Sequence, residues 1–362
     1  MIHSMHIIGS RQMGGAEQFY MRFVRAIDQR GLNVLAVNRP GCPVNTAMNE
    51  TVPQQTIPMR NGWDLLSVLK IRRLIRNTGP LIVQTYMGRA TRLTRLPRDS
   101  AAIHVARLGG YFKIKGYYQH AHAWVGNTRG ICDYLIREGL AADRVYHIGN
   151  FVELSSPPAE TALQARRQSL QIPADAVVLF SLGRFVDYKG FDDLLSAFAR
   201  VPRDIHGRPV ILVIAGDGPF KKSLHQLARQ LALAPRLRWI GWQNDPGPYY
   251  DLADVFVCPS RHEPLGNVIL EAWAHRLPVI TTRTQGALEL VAEEESGLLV
   301  EIRDPVALAA CMTTLVEAGP AAWQSLAANG LASLKQHHTE EAVLKAYLNL
   351  YAELQPGTAD GK

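Results

Sequence analysis

Residues 255–274 read VFVCPSRHEPLGNVILEAWA, an apolar run, a short loop containing Pro264 and Gly266, and a second apolar segment. The first run predicts a buried strand, and the proline and glycine predict a turn, after which a helix begins near Asn267. A strand followed directly by a helix is one βα unit of a parallel sheet. The stretch therefore predicts an α/β fold whose loop lies at the carboxyl end of a strand, where open sheets bind ligands.

The same alternation of strand and helix runs through the whole chain. In the first half we predict strands at MHIIG, LNVLAVN, LIVQTY, AAIHVARL and AWVGN, and in the second half at AVVLFSLGR, PVILVIAGDG, LRWIG, LPVITT and GLLVE, with helices such as 16–29 and 65–76 between them. Residues 154–160 (LSSPPAE) suit a linker, since proline interrupts regular structure. We expect two Rossmann-like domains, 1–153 and 154–338, with parallel sheets facing across a cleft. A helix over 339–355 would pack back towards the first domain, before a disordered tail over 356–362.

The charge is unevenly distributed. Residues 1–170 contain 22 lysines and arginines against 10 acidic residues, whereas the remainder contains 17 against 22. A basic domain attracts phosphates, nucleic acid or anionic lipid. No apolar run approaches the ~18 to 20 residues of a spanning helix, and residues 1–10 lack a signal-peptide pattern, so we expect a cytoplasmic protein. The four cysteines show no metal-binding spacing.

Two loops of the second half carry candidate chemistry. Arg184 and Lys189 follow a predicted strand, where two cations could neutralise a diphosphate as charge grows on a leaving group; solvated surface charges are the alternative. Glu263 and Glu271 flank the helix start near Asn267. Glu271 could accept hydrogen bonds from a ribose and Glu263 could reach a sugar, although both could also be solvated acids. We predict no metal site, because no Asp-x-Asp cluster accompanies these loops.

A glycine pair, Gly14 and Gly15, opens the first predicted helix. A helix start with glycines suits a phosphate, but a simple turn explains the pair equally well. The pattern is not GxGxxG, which argues against a dinucleotide oxidoreductase.

Taken in order, GGAEQF, GRFVDYKGF, AGDGP and the two glutamates separated by seven residues resemble the retaining glycosyltransferases of family 4, which have the GT-B fold. The resemblance implies that Arg184 and Lys189 bind the diphosphate of a nucleotide sugar and that Glu263 contacts its sugar. The donor contacts that it implies are Gly14, Gly15, Arg184, Lys189, Gly241, Trp242, Glu263, Leu265, Gly266, Asn267 and Glu271. It implies no cofactor.

Members of this family often carry a histidine where this chain has Arg107, and His104 is predicted to lie in the core. Arg107 cannot act as a base, but it can bind an acceptor hydroxyl or phosphate. We count it with Glu263, Arg184 and Lys189 as a candidate catalytic residue. The predicted acceptor contacts are Glu17, Arg89, Arg107 and Lys113. The residues Arg89, Arg92, Arg95 and Arg98 would form one basic stripe if a helix carried them, joined by Lys113 and Lys115, or simply a solvated face.

The predicted function is transfer of a hexosyl group, UDP-hexose being favoured as donor, to a hydroxyl of a glycan or phosphorylated glycolipid. Synthesis of lipopolysaccharide or another cell-surface polysaccharide would place the enzyme at the cytoplasmic face of an anionic inner membrane. A sugar-nucleotide epimerase and a catalytically inactive carbohydrate-binding relative are the alternatives. Nucleic-acid binding would explain the basic first half but none of the loops in the second half.

Overall fold

In the computed structural model, residues 3–48 and 52–355 are described. The chain forms two compact units: residues 1–151 together with 340–362, and residues 152–339. The boundary lies two residues before the expected one, and the final helix groups with the first unit. The predicted tail over 356–362 lies outside the described residues.

The described part of the first unit contains the strands β1 (Ser4–Ile8), β2 (Val34–Asn38), β3 (Gln54–Thr56), β4 (Ile82–Tyr86), β5 (Ile103–Leu108), β6 (Ala123–Gly126) and β7 (Val145–His147). They form one parallel sheet in the order β3-β2-β1-β4-β5-β6-β7. Its helices are α1 (Gly15–Gln29), α2 (Pro43–Ala47), α3 (Leu65–Thr78), α4 (Met87–Leu93) and α5 (Arg129–Arg137). This is a Rossmann-like sheet flanked by helices.

The second unit repeats the architecture with the strands β8 (Val177–Leu182), β9 (Asp204–Ile205), β10 (Arg208–Ala215), β11 (Leu237–Gly241), β12 (Val255–Cys258), β13 (Val279–Thr282) and β14 (Leu298–Val300). The parallel order is β11-β10-β8-β12-β13-β14, and β9 pairs antiparallel with β10. Its helices are α6 (Glu160–Ser169), α7 (Phe191–Phe198), α8 (Lys221–Gln230), α9 (Gly247–Tyr250), α10 (Asn267–Ala274), α11 (Gln285–Leu290) and α12 (Pro305–His337). The predicted α/β class, with two Rossmann-like halves, is confirmed. The sequence missed β3, β7 and β9, whose two or three residues include no more than two apolar ones, whereas the equally short β14 is wholly apolar and was predicted.

The last helix, α13 (Glu340–Leu354), packs against α1 of the first unit. The ring of Tyr347 lies 4.4 Å from the ring of Phe23, centroid to centroid, and Leu344, Leu350 and Tyr351 are buried in the same core. The C-terminal helix therefore completes the hydrophobic core that the N-terminal strands begin.

Residues Pro305–Leu354 are long and apolar enough, by length and composition, to cross a membrane, since they contain an 18-residue window with a mean hydropathy of 1.3. The backbone of Gly319 is non-helical, with φ at 74°, so α12 is broken at that point. Leu308, Met312 and Trp323 of α12 are buried in the core of the second unit, as the apolar residues of α13 are in the first. These core contacts account for part of the apolar composition of the segment, since 33% of that window is buried.

The predicted basic helical stripe is wrong. Helix α4 ends at Leu93, and Thr94 has an extended backbone with φ at −85° and ψ at 100°. Arg95 and Arg98 therefore lie beyond the helix. The regular spacing of the arginines does not reflect a helix, since Pro97 follows close behind and the chain leaves α4 after two turns.

Candidate functional site

The loops at the carboxyl edge of the second sheet are packed backbone to backbone. The amide of Gly183, after β8, donates to the carbonyl of Ala215 at 3.1 Å, and the amide of Gly216 donates to the carbonyl of Gly241 at 2.8 Å. A Cβ on Gly216 would lie 2.1 Å from the carbonyl oxygen of Gly183. Only glycine fits there, so the loops after β8, β10 and β11 form one closely packed surface.

The two loops that the sequence singles out lie side by side. The amides of Arg261 and His262 donate to the carbonyl of Tyr188 at 2.8 and 3.2 Å. Gly190 ends the first loop with φ at +65°, and a Cβ on it would lie 2.1 Å from the carbonyl oxygen of Pro259. The loop carrying Lys189 is thereby fixed to the loop carrying Glu263.

At this junction the Lys189 ammonium forms an ion pair with the Glu263 carboxylate. The hydroxyl of Ser260 donates to the same carboxylate oxygen at 3.3 Å. The two charged side chains are 18% and 14% exposed. Burial lowers the pKa of Lys189, but the neighbouring Glu263 carboxylate outweighs it, and the pKa ends above its ordinary value. Lys189 therefore keeps its positive charge at neutral pH.

Sequence reasoning missed Arg261, which holds the same loop. Its guanidinium is 11% exposed and contacts three carboxylates, those of Asp187 at 2.8 Å, Asp192 at 2.6 Å and Asp193 at 2.9 Å. Burial lowers its pKa, yet the carboxylates raise it overall. The three aspartates close to Lys189 in the sequence could have indicated this contact, because clustered carboxylates need a cation nearby.

Glu271 lies in α10, where the hydroxyl of Tyr250 donates to its carboxylate at 3.2 Å. The helix begins after Gly266, whose φ is +92°, as the sequence predicted for a start near Asn267. Leu265, directly before Gly266, is buried at 5% exposure. The carboxylate of Glu271 is thus placed one turn from the first residue of the helix.

The remaining predicted donor residues of this unit are accessible. Arg184 is exposed, and among the described residues its guanidinium makes neither a hydrogen bond nor an ion pair. Gly241 ends β11, and the following Trp242 is 52% exposed, with its indole nitrogen donating to Asn244 at 3.2 Å. The exposed ring of Trp242 and the guanidinium of Arg184 thus lie at the same edge of the sheet as the Lys189–Glu263 ion pair.

In the first unit, Gly14 caps α1 and Gly15 is its exposed first residue, whereas Glu17 in the first turn is buried at 5% exposure. The guanidinium of Arg89 donates to the carbonyl of Gly9 at 3.1 Å. Arg89 borders a cavity of about 290 Å³ lined by residues 9–12 and 87–89. Lys113 is exposed in the loop after β5.

Arg107 does not face solvent. Its side chain is 3% exposed, and it donates to the hydroxyl of Tyr347 at 3.0 Å and to the side-chain oxygen of Asn150. The guanidinium lies 3.7 Å above the ring of Phe19. These contacts tie β5 to α13, which gives Arg107 a structural role in place of the predicted contact with an acceptor. His104 is buried and hydrogen-bonded to Thr85 at 2.9 Å, which confirms its prediction as a core residue.

Throughout residues 3–48 and 52–355, no group of three or more histidine, cysteine, aspartate or glutamate side chains is arranged to hold a metal ion.

Comparison with known proteins identifies the class. A model of the family "Glycosyl transferases group 1" matches residues 164–329. The chain is 35% identical over 341 residues to the lipopolysaccharide core biosynthesis glycosyltransferase LpsE of Rhizobium meliloti, covering 94% of this chain and 96% of the relative. For LpsD of the same organism, with the same description, identity is 32%, over 93% and 95% of the two chains. The chain therefore belongs to the group 1 glycosyltransferases.

The fold is also that of solved glycosyltransferases. The crystal structure of Anabaena HepE in complex with UDP and glucose superimposes with a TM-score of 0.84 at 20% identity, over 98% of this chain and 100% of the other. The fold is therefore GT-B, as the sequence predicted.

Proposed function

We propose that the protein transfers a hexosyl group from a UDP-sugar to a hydroxyl of a lipopolysaccharide-core acceptor, with retention at the anomeric carbon. The observation that carries the proposal is the Lys189–Glu263 ion pair at the carboxyl edge of the second sheet. It places a permanent cation and a carboxylate together where open sheets bind ligands. The descriptions of LpsE and LpsD support the acceptor class, and the UDP and glucose bound to HepE support the donor class.

In this proposal the diphosphate of the donor lies against Lys189, Arg184 and the N-terminal end of α10. An ammonium of raised pKa and an exposed guanidinium supply positive charge where the leaving diphosphate gains negative charge. These groups take the electrostatic role that a divalent cation has in other transferases, so we expect transfer without added metal. Glu263 then accepts hydrogen bonds from hydroxyls of the sugar.

The nucleoside lies beside α10 and β11. Glu271, held by Tyr250, accepts hydrogen bonds from the ribose hydroxyls, while the base lies near Gly241 and Trp242. A carboxylate already oriented by a neighbouring hydroxyl loses little freedom when it binds a diol, which favours binding. Tyr250 thus becomes a supporting residue that the sequence did not identify.

Retention follows if the acceptor attacks the face that the diphosphate leaves. The bond between the anomeric carbon and the phosphate oxygen breaks, the acceptor oxygen bonds to that carbon, and its proton passes to the departing phosphate oxygen. This route needs no side-chain nucleophile. In the first unit the proposed acceptor contacts are Arg89 and Lys113, whereas Glu17, at 5% exposure, is left out for the same reason as Arg107.

The test is product analysis with purified protein, UDP-hexoses and a truncated lipopolysaccharide core, in the presence of EDTA. We expect one α-linked hexose added per acceptor, identified by NMR of the anomeric proton. A β-linked product would refute retention, and loss of transfer in EDTA would refute metal independence. An isomerised nucleotide sugar formed without acceptor would instead support the epimerase alternative. The variant Lys189→Ala should lower turnover by about 10²- to 10³-fold at unchanged folding.

A further inference from the structure

The outer surface of α3 is apolar at its beginning. Trp63, Leu65, Leu66 and Leu69 are 77%, 75%, 66% and 60% exposed, whereas Ile71 on the inner side is buried. A single exposed leucine needs no explanation, but a run of large apolar side chains on one surface indicates a binding face. We call these four exposed residues the α3 face.

The α3 face is held rigidly. Asp64 caps the helix by accepting from the amide of Ser67 at 3.1 Å, and Gly79 ends it in the left-handed region with φ at 55°. The buried Ile71 and Ile75 anchor the inner side in the core of the first unit. The exposed leucines therefore do not belong to a loosely attached segment that could turn inwards.

Positive charge continues from the apolar residues along the same side of the helix. Lys70, Arg73 and Arg76 are exposed, and residues 73 and 76 follow Leu69 at helical spacing, four and seven positions on. Between residues 60 and 99 the sequence holds nine lysines and arginines and two acidic residues, namely Asp99, which pairs with Arg76 at 3.3 Å, and Asp64. That carboxylate is engaged with the amides of residues 60 and 67 at the helix start.

Trp63 adds an interfacial side chain beside a further cation. The guanidinium of Arg92 lies 3.5 Å above its ring and 4.7 Å from the ring of Tyr117. Aromatic rings next to cations are well suited to the boundary between lipid headgroups and acyl chains.

We propose that the α3 face docks on the surface of an anionic lipid bilayer, with α3 lying in the membrane plane. Leucine and tryptophan side chains enter the acyl boundary, while Lys70, Arg73 and Arg76 contact anionic headgroups. The positive charge on the same side of the helix favours a bilayer over an apolar protein partner. The membrane contact is thereby placed on α3 rather than on the arginines after β4. It would bring the enzyme of the proposed function to a lipid-linked acceptor, and that link alone depends on the proposed function.

The experiment is flotation of the full-length protein with vesicles of phosphatidylglycerol and phosphatidylethanolamine, in low salt and without donor or acceptor. We expect binding to these vesicles and at least tenfold weaker binding to phosphatidylcholine vesicles. The triple variant L65S/L66S/L69S should lose about 100-fold in affinity, since three leucines no longer leave water. Replacement of the comparably exposed Leu288 by serine in the second unit is the matched control and should change nothing.

A second variant keeps the test valid if the triple variant misfolds. K70Q/R73Q should weaken binding about 25-fold, fivefold for each charge, whereas K222Q/R229Q on the exposed side of α8 should not. Unchanged binding of the folded triple variant would overturn the proposal, as would equal binding to neutral vesicles. A wild-type dimer that the triple variant converts to monomers would also overturn it, because a second copy would then cover the face. Because no sugar substrate is present, failure here leaves the proposed transfer reaction untouched.

Discussion

Replacing Lys189 by methionine would leave the Glu263 carboxylate, only 14% exposed, without its cation. Exposed ion pairs contribute about 0 to 1 kcal/mol, and removing one partner of a fully buried pair costs about 3 to 5 kcal/mol. This pair lies between those limits, so we expect Lys189→Met to lower the free energy of unfolding by about 2 kcal/mol. Glu263→Gln, which strands the 18% exposed ammonium, should cost about the same.

The double variant separates structure from chemistry. Its loss of stability should be about 2 kcal/mol rather than the sum of about 4, because neither charge is then left alone, a coupling of about 2 kcal/mol. Its turnover should stay as low as that of the single variants, roughly 10²- to 10³-fold below wild type, since the cation and the carboxylate each act on the donor. Urea unfolding and steady-state transfer assays on the same preparations measure both quantities.

The exposed pair Lys221–Asp217, with side chains 47% and 48% exposed, is the control for stability, and breaking it should leave the urea unfolding curve unchanged. If turnover and the free energy of unfolding both recovered in the double variant, the proposed action of Lys189 and Glu263 on the donor would be refuted. The ion pair would then only hold the two loops together.

The remaining predictions concern Arg261, which holds the loop that carries Lys189, and the buried His6. Arg261→Ala should raise the KM for the donor by a factor about ten times larger than the factor by which it lowers kcat. Arg261→Lys should restore only part of the lost KM, since an ammonium cannot contact three carboxylates in a fixed fork. A lysine variant with wild-type KM would show that geometry at this position is unimportant. His6 is buried between Tyr86 and Ser4, and burial, with a smaller effect of His3, lowers its pKa from 6.5 to about 3. Because the unfolded chain binds the proton more readily than the folded protein, the stability contributed by neutral His6 is complete above about pH 6.5. This stability is lost as the pH falls towards 3, by about 1.4 kcal/mol per pH unit. Urea unfolding at pH 7 and 5 should show a smaller pH dependence for His6→Gln, and an identical dependence would contradict the assignment.

Alternation of strand and helix was sufficient to predict the two sheets, because most of their strands are short, largely apolar runs separated by helices. The loops that carry Lys189 and Glu263 followed from the strand ends. Their ion pair did not, since it joins residues 74 positions apart and depends on how neighbouring loops pack. Local sequence holds no information on that contact.

Arg107 shows a different limit. Strand alternation separates its face from that of His104, but a parallel sheet is covered on both faces, so alternation does not tell which side chains reach solvent. The partner that explains Arg107 is Tyr347, 240 residues further along the chain. The burial of the charge is decided by α13 and could not be predicted from β5.

The return of α13 to the first unit sets an order for folding during synthesis. Residues 152–339 are continuous, so the second unit can be completed before α13 is synthesised. The first unit cannot, because Phe19 and Phe23 pack against Tyr347, which follows the whole second unit in the sequence. The unit that begins first is thus completed only after the second, and until α13 has been synthesised its aromatic core stays open on the side that α13 covers.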